Sequence, residues 1–254
     1  MDVLGLKELF EIFNEVMYEL EGINIINFVT LSHMAYEIWA STLKHMIEIP
    51  NNMNKYEFIK QATYGGRRYP LQKEFKSKHY DSVVSGNMKY EQLIKTGDYI
   101  FNADATSLYP ASMKGIDILE VSYPTGKSRW SNDPVLEWKN NKVGFYKIKF
   151  SPPKDIRTPI LPRKVNLGIR WTLEDGEGVY TSVDIQNSID AGYKVDFLNE
   201  CLVWDSSNDV FGEYIDKYAN VKQEAERAGN QVKRSIAKLM MNAMYGKTHT
   251  RSNI

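Results

Sequence analysis

The feature that most constrains the fold is a pair of amphipathic helices near the end of the chain. Residues 209–228 place Phe211, Tyr214, Ile215, Tyr218 and Val221 on one side of a helix. Gly229-Asn230 breaks the pattern, and residues 231–245 resume it. Helices joined by so short a turn run antiparallel as a hairpin. On the second, Arg234, Lys238 and Asn242 stand four apart and Tyr245 continues the stripe. Ile236, Leu239, Met240 and Ala243 face elsewhere. Lys222 comes from the end of the first helix.

The second constraint is the turn Asp104-Ala105-Thr106-Ser107-Leu108-Tyr109-Pro110. The run before it, Asp98-Tyr99-Ile100-Phe101-Asn102-Ala103, reads as a buried strand. The segment after it, 110–114, turns helically before Gly115. Asp104 is therefore expected at the carboxyl end of a strand, where a carboxylate can hold a hard cation. The N–H groups of Ser107 and Leu108 can point the same way, toward phosphate oxygens. An aspartate in such a place is most often a helix cap. A cationic stripe, likewise, is usually a solvated face. The stripe on the second helix ends in Asn and Tyr rather than more charge, which suits a base pair lying beyond a triphosphate.

Composition limits the alternatives. The 254 residues hold 32 Lys+Arg and 32 Asp+Glu, so a nucleic-acid binder of this kind has to concentrate its basic residues locally. The single cysteine, Cys201, excludes an internal disulfide and a cysteine-rich zinc site. The histidines at 33, 45, 79 and 249 lack metal-ligand spacing. No apolar run is long enough to span a membrane, and no membrane partner is expected. The acidic start resembles neither a signal nor a transit peptide.

Along the rest of the chain, residues 2–20 read as a helix with Leu6, Leu9, Phe10, Phe13, Val16, Met17 and Leu20 in one stripe. A second helix is expected over 31–46, capped by Thr30 or Ser32 and facing Ala35, Ile38, Trp39, Leu43 and Met46 inward. A third is expected over 54–61. Tyr64-Gly65-Gly66-Arg67 combines glycines that let a backbone approach closely with cations that suit phosphates; alone it reads as a solvated turn. Residues 71–96 look like a linker or extended arm. Residues 121–205 read as β-rich, with a strand over 143–150, a hairpin turning at 174–178, a helix over 182–191 and a strand over 193–204.

Two stretches carry a family resemblance. Asp104-x-x-Ser107-Leu108-Tyr109-Pro110 resembles motif A of family-B DNA polymerases, and Lys238-x-x-x-Asn242-x-x-Tyr245-Gly246 resembles motif B. The Gly65-Gly66 turn, the long separation of the two motifs and Tyr214-Ile215-Asp216-Lys217-Tyr218 are similar to the protein-primed branch, found in phages, linear plasmids and mobile elements. The implied fold class is α/β (α+β), as part of a right-hand polymerase. Residues 1–62 would be the helical end of an exonuclease domain and 63–96 a linker. Residues 97–205 would be the palm with an inserted β-rich, terminal-protein-contacting region, and 206–254 the fingers helices and the start of the return to the palm.

The resemblance also implies residue roles. Asp104 and the carbonyl of Ala105 would hold Mg²⁺, two ions being used in the family. Ser107, Leu108, Lys222, Arg234 and Lys238 would meet the triphosphate of an incoming dNTP. Tyr109 would lie under the deoxyribose and exclude a 2′-hydroxyl. Asn242, Tyr245 and Gly246 would border the nascent base pair. Tyr64, Gly65, Gly66 and Arg67 would contact DNA. Asp2-Val3-x-x-Leu6 is similar to the end of the third exonuclease motif, which makes Asp2 an exonuclease metal ligand. Expected partners are template and primer DNA, dNTP and a terminal protein. The expected location is host cytoplasm or mitochondrion.

Two departures are plain. The first Tyr of the Tyr-x-Gly-Gly pattern falls on Thr63, and no Asp-Thr-Asp of motif C occurs in these residues. The alternative to a polymerase segment is therefore a non-catalytic remnant that binds nucleotide, DNA or terminal protein. The coding sequence beyond Ile254 distinguishes the two.

Overall fold

The computed structural model describes residues 3–50, 52–65, 75–100, 107–116, 119–120, 122–166 and 168–248. The chain forms two compact units, one of residues 1–64 with 107–254 and one of residues 65–106. In the larger unit the helices are α1 (Val3–Glu21), α2 (Leu31–Thr42), α3 (Met53–Gln61), α6 (Leu108–Lys114), α7 (Pro134–Lys139), α8 (Ser182–Asp190), α9 (Gly212–Arg227) and α10 (Gln231–Thr248). The smaller unit holds α4 (Tyr80–Val84) and α5 (Tyr90–Thr96). The strands are β1 (Gly115–Ile116), β2 (Leu119–Glu120), β3 (Tyr123–Thr125), β4 (Arg129–Ser131), β5 (Val143–Ser151), β6 (Arg163–Val165), β7 (Gly168–Arg170), β8 (Gly176–Thr181), β9 (Lys194–Trp204) and β10 (Ser206–Asn208). No described helix is long and apolar enough to cross a membrane.

The β-rich region is organised on an antiparallel sheet in the order β4-β9-β5-β8. Alternation along β5 sends Tyr146, Ile148 and Phe150 to one face, where they pack with Ile185 of α8, Leu161 and Tyr193. On the other face Val179, Leu202 and Trp204 pack against Phe58 and Ala62, in and just after α3. A separate helical core joins Met17 of α1, Met34, Ile38 and Trp39 of α2, and the inner sides of α9 and α10. Trp39 stacks on Phe211 at 5.2 Å, and its Nε1–H donates to the Val210 carbonyl at 2.7 Å. Each such fully buried side chain contributes about 1.5–3 kcal/mol of burial.

Four expectations are corrected. Helix α2 stops at Thr42, and Met46 is exposed rather than inward. Leu43 is extended, and the Met46 carbonyl accepts from the Gly126 N–H at 2.7 Å, so a strand-like bridge takes the backbone the helix would have used. The described part of 71–96 is not an extended arm but carries α4 and α5. Gln92 Oε1 accepts from the Lys89 N–H at 2.8 Å and Gly97 ends α5 at φ 69°. These are local caps with one buried apolar residue, Leu93, so no amphipathic period announces them.

The buried strand expected over 98–103 is absent in its described part, 98–100, where Ile100 is exposed; residues 101–103 lie outside the described residues. Finally, 174–178 does not turn a hairpin between its flanking runs. Strand β7 pairs back with β6, and β8 pairs with β5. Gly176 and Gly178 read as turn residues, yet they lie inside β8. A Cβ on Gly176 would stand 2.5 Å from the Phe150 ring, and one on Gly178 3.0 Å from the Tyr180 ring. They make room for aromatic side chains.

The tightest approach is at Gly144 of β5, where a Cβ would stand 2.3 Å from the Leu202 carbonyl oxygen and 2.9 Å from the Val203 Cα. Both are backbone atoms of the central strand β9 and cannot swing aside. Gly144→Ala is expected to destabilise the chain by about 1–3 kcal/mol, the usual range for overpacking. Denaturant unfolding checks this; a midpoint equal to wild type would show that β9 shifts freely.

Candidate functional site

The α9–α10 hairpin is fastened at several points. Tyr214, fully buried, donates its hydroxyl to the Met240 carbonyl at 2.9 Å and so ties the two helices together. Tyr218 donates to Glu21 of α1 at 2.6 Å, and Lys217 Nζ donates to the other Glu21 oxygen at 2.7 Å. Burial, and then the Glu21 carboxylate, push the Tyr218 phenol far above its ordinary range, so it stays a neutral donor. Lys233 of α10 reaches Glu19 of α1 at 3.0 Å. Lys114 at the end of α6 pairs with Asp216 of α9.

Against this frame the motif residues are gathered. Ser107 precedes α6 with φ 54°, a left-handed conformation unusual for serine. Its side chain caps no helix N–H. Instead its Oγ accepts from Lys222 Nζ of α9 at 3.4 Å, so Lys222 sits beside the 107 turn. Two positions on, Tyr109 stacks on Tyr245 of α10, ring centroids 4.3 Å apart and planes 20° from parallel. Tyr109 is 53% exposed and Tyr245 36%, so an accessible aromatic surface remains. Pro110 lacks an N–H in the first turn of α6, where the donor has no intrahelical partner in any case.

The stripe on α10 does not act as one unit. Lys238 and Asn242 are exposed, opposite buried Ile236, Ala237, Met240, Met241 and Met244. Lys238 makes no ion pair among the described residues, whereas Arg234 lies 3.5 Å from Glu226 of α9 and is drawn back onto the hairpin. Gly246 continues α10, and Leu108 is exposed on α6. Tyr64 donates its hydroxyl to the Val179 carbonyl at 3.2 Å and stacks on Tyr180 at 5.4 Å, packed on the sheet. Gly65 belongs to the smaller unit. Asp2, Gly66, Arg67, Asp104 and Ala105 lie outside the described residues. No group of three or more metal-ligating side chains occurs among those that are described.

Sequence reasoning missed the contacts of Glu21, Lys114 and Asp216, which join the hairpin to α1 and α6. Their partners are 102 to 197 positions away, so no local spacing marks them. The Tyr109–Tyr245 stack is the direct link between the two motifs. A double-mutant cycle with Tyr109→Ala and Tyr245→Ala, read by denaturant unfolding, is expected to give a coupling of about 0.5–1.5 kcal/mol. Additive effects would mean the rings meet without mutual stabilisation.

Comparison with known proteins gives the family and the fold. The family model described as DNA polymerase type B, organellar and viral, matches residues 1–85 and 86–253. A probable DNA polymerase of Neurospora intermedia is 28% identical over 258 residues, covering 97% of this chain and 24% of that protein. The DNA polymerase of canine adenovirus serotype 1 is 34% identical over 256 residues, covering 94% of this chain and 19% of the relative. The chain thus spans about a quarter or less of the length of these relatives. Among solved structures, Phi29 DNA polymerase complexed with primer-template DNA and incoming nucleotide substrates superposes with a TM-score of 0.55 at 16% identity, over 91% of this chain and 37% of that one. The fold is thus that of the mixed α/β, right-hand polymerases. The chain belongs to the type-B DNA polymerases of organelles and viruses, related to the phage and viral protein-primed enzymes.

Proposed function

We propose that this chain is the palm-and-fingers segment of a template-directed, protein-primed DNA polymerase, and that the Ser107–Lys222 and Tyr109–Tyr245 contacts outline its nucleotide site. The single observation that carries the reading is that two motifs far apart in sequence meet through the Tyr109–Tyr245 stack, with Lys222 of α9 beside Ser107 of the first motif. In the reaction a primer hydroxyl attacks the α-phosphate of a dNTP and pyrophosphate leaves. Lys222 and Lys238 supply positive charge for the phosphates, with Ser107 and Leu108 at the turn beneath them. Arg234 is a weaker contributor, because Glu226 already faces it. Tyr109 supports the sugar, and Asn242, Tyr245 and Gly246 border the base pair.

The family works with Mg²⁺, which when bound lowers the barrier by countering charge on the reacting oxygens. The candidate ligands are Asp104 and the Ala105 carbonyl, with Asp2 as a separate exonuclease candidate. Tyr64, Gly65, Gly66 and Arg67 are the proposed contacts to template and primer, and the β-rich region of 121–205 is the proposed seat of a terminal protein.

Two substitutions in the polymerase carrying this segment test the reading. Lys238→Ala is expected to lower catalytic efficiency for all four dNTPs alike, by roughly 10- to 150-fold, the value of a charge-assisted bond of about 1.5–3 kcal/mol. Single-turnover incorporation of each dNTP reads this. A solvated lysine would give almost no loss, and a loss confined to one base would misplace the helix. Tyr109→Val is expected to raise ribonucleotide incorporation relative to deoxyribonucleotide, because the ring would no longer fill the space of a 2′-hydroxyl. An unchanged ratio with activity retained removes that role.

A further inference from the structure

The charge of the chain is balanced overall but not locally. Residues 142–170 contain eight Lys and Arg against one acidic residue, Asp155, so the remainder of the chain is net acidic. Some of these cations are spent within the fold. Lys142 pairs with Asp205, Lys147 lies 4.0 Å from Glu177 and Glu200, and Arg163 pairs with Glu174. Four others, Lys154, Arg157, Lys164 and Arg170, are exposed on the connection from β5 through the β6–β7 hairpin. None of the four makes an ion pair among the described residues.

This connection is held firmly. Tyr180 donates to the Pro162 carbonyl at 2.6 Å, and the Ile160 N–H donates to the Tyr193 hydroxyl at 3.1 Å. Arg163 donates to the Asp175 carbonyl at 2.6 Å. On the other side Lys164 Nζ donates to the Lys60 carbonyl at 2.6 Å and stands 5.0 Å over the Tyr64 ring. Burial and the neighbouring Lys60 charge both lower the Lys164 ammonium below its usual range, so an anion placed there relieves it. Lys164 thus reaches Tyr64 from far along the sequence, whereas the Lys60 ammonium stands 5.7 Å from the Tyr56 ring and 3.9 Å from Glu57.

We infer that the β6–β7 arm, with Lys154, Arg157, Lys164 and Arg170 along it, is a ledge that grips one DNA strand through its phosphates. Charge complementarity selects the partner, since exposed cations without ion-pair partners among the described residues match a polyanion. The contact is independent of sequence. Tyr64, the aromatic group at the foot, is taken up by Val179, Tyr180 and Lys164 and offers no platform for a base. The inference rests on the polymerase reading only for the identity of the strand.

The test measures binding of the 254-residue chain to a labelled single-stranded DNA of mixed sequence by fluorescence anisotropy, across a salt series. The ledge variant carries Lys154→Gln, Arg157→Gln, Lys164→Gln and Arg170→Gln. A control carries Lys7→Gln, Lys44→Gln, Lys127→Gln and Lys139→Gln, which removes the same charge elsewhere. Each lost phosphate contact lowers the log–log salt slope by about 0.7, so the ledge variant is expected to lose about 3 in slope and roughly tenfold or more in affinity at moderate salt. The control is expected to change little.

Equal losses in the two variants would mean that only net charge matters, and would overturn the ledge. So would an unchanged slope in the ledge variant, or loss of binding to a polypeptide primer with DNA binding intact. Lys164→Gln alone, with an unchanged thermal midpoint, guards against misfolding; it is expected to lower the slope by about 0.7. Primer extension with Lys238→Ala fails or succeeds separately, so the ledge and the polymerase reading can fall independently.

Discussion

One carboxylate ties the first helix to the hairpin that carries the second motif. Glu21 closes α1, is almost shielded from solvent, and accepts both the Tyr218 hydroxyl and the Lys217 ammonium of α9. A carboxylate so placed is stable only while its donors remain, because a buried charge stripped of its partner costs several kcal/mol. The exposed Lys7–Glu11 and Lys114–Asp216 pairs contribute far less, about 0–1 kcal/mol each. The hairpin is thus held where Glu21 meets it and by the Met and Tyr side chains packed beneath. What it presents on its outer side, Lys222, Lys238, Asn242 and Tyr245, is positioned by contacts made on its inner side.

The sheet does the same for the insertion. Strand β5 is an inner strand, paired with β8 on one side and, with a register shift between Tyr146 and Ile148, with β9 on the other. Glycines at 144, 176 and 178 are set against backbone or ring atoms. Their lack of a side chain is used for close approach, not for turning. The same sheet supports Tyr64 on β8 and, through Arg163 and Tyr180, the basic arm. The two regions with proposed contacts to nucleotide and to DNA are thus each carried on a rigid layer.

Two non-glycine residues among those described adopt a left-handed backbone, Ser107 and Asn141, and only Ser107 lies in a motif. Ser107 adopts a left-handed backbone at a cost of about 1–3 kcal/mol, and its hydroxyl forgoes a helix cap to face Lys222. A cation held near an uncapped turn is an arrangement that suits an anion arriving from outside. That conformation is visible only with the chain folded.

The amino-acid sequence by itself determined the helices α1, α3, α8, α9 and α10, the strands β5 and β9 and the two motifs, because periodicity and caps are local properties. It determined that Arg234, Lys238, Asn242 and Tyr245 share a face, since residues three or four apart on a helix must. It misread 174–178, where glycine means a turn locally and room for Phe150 only in the sheet. Tertiary structure alone decided that α2 ends at Thr42, that Lys222 reaches Ser107, that Tyr109 meets Tyr245, and that Lys164 comes to Tyr64. Each of these joins residues with no regular spacing between them. A hydrogen bond or ring contact across the fold leaves no period in the chain, and only the packing of cores brings its partners within reach.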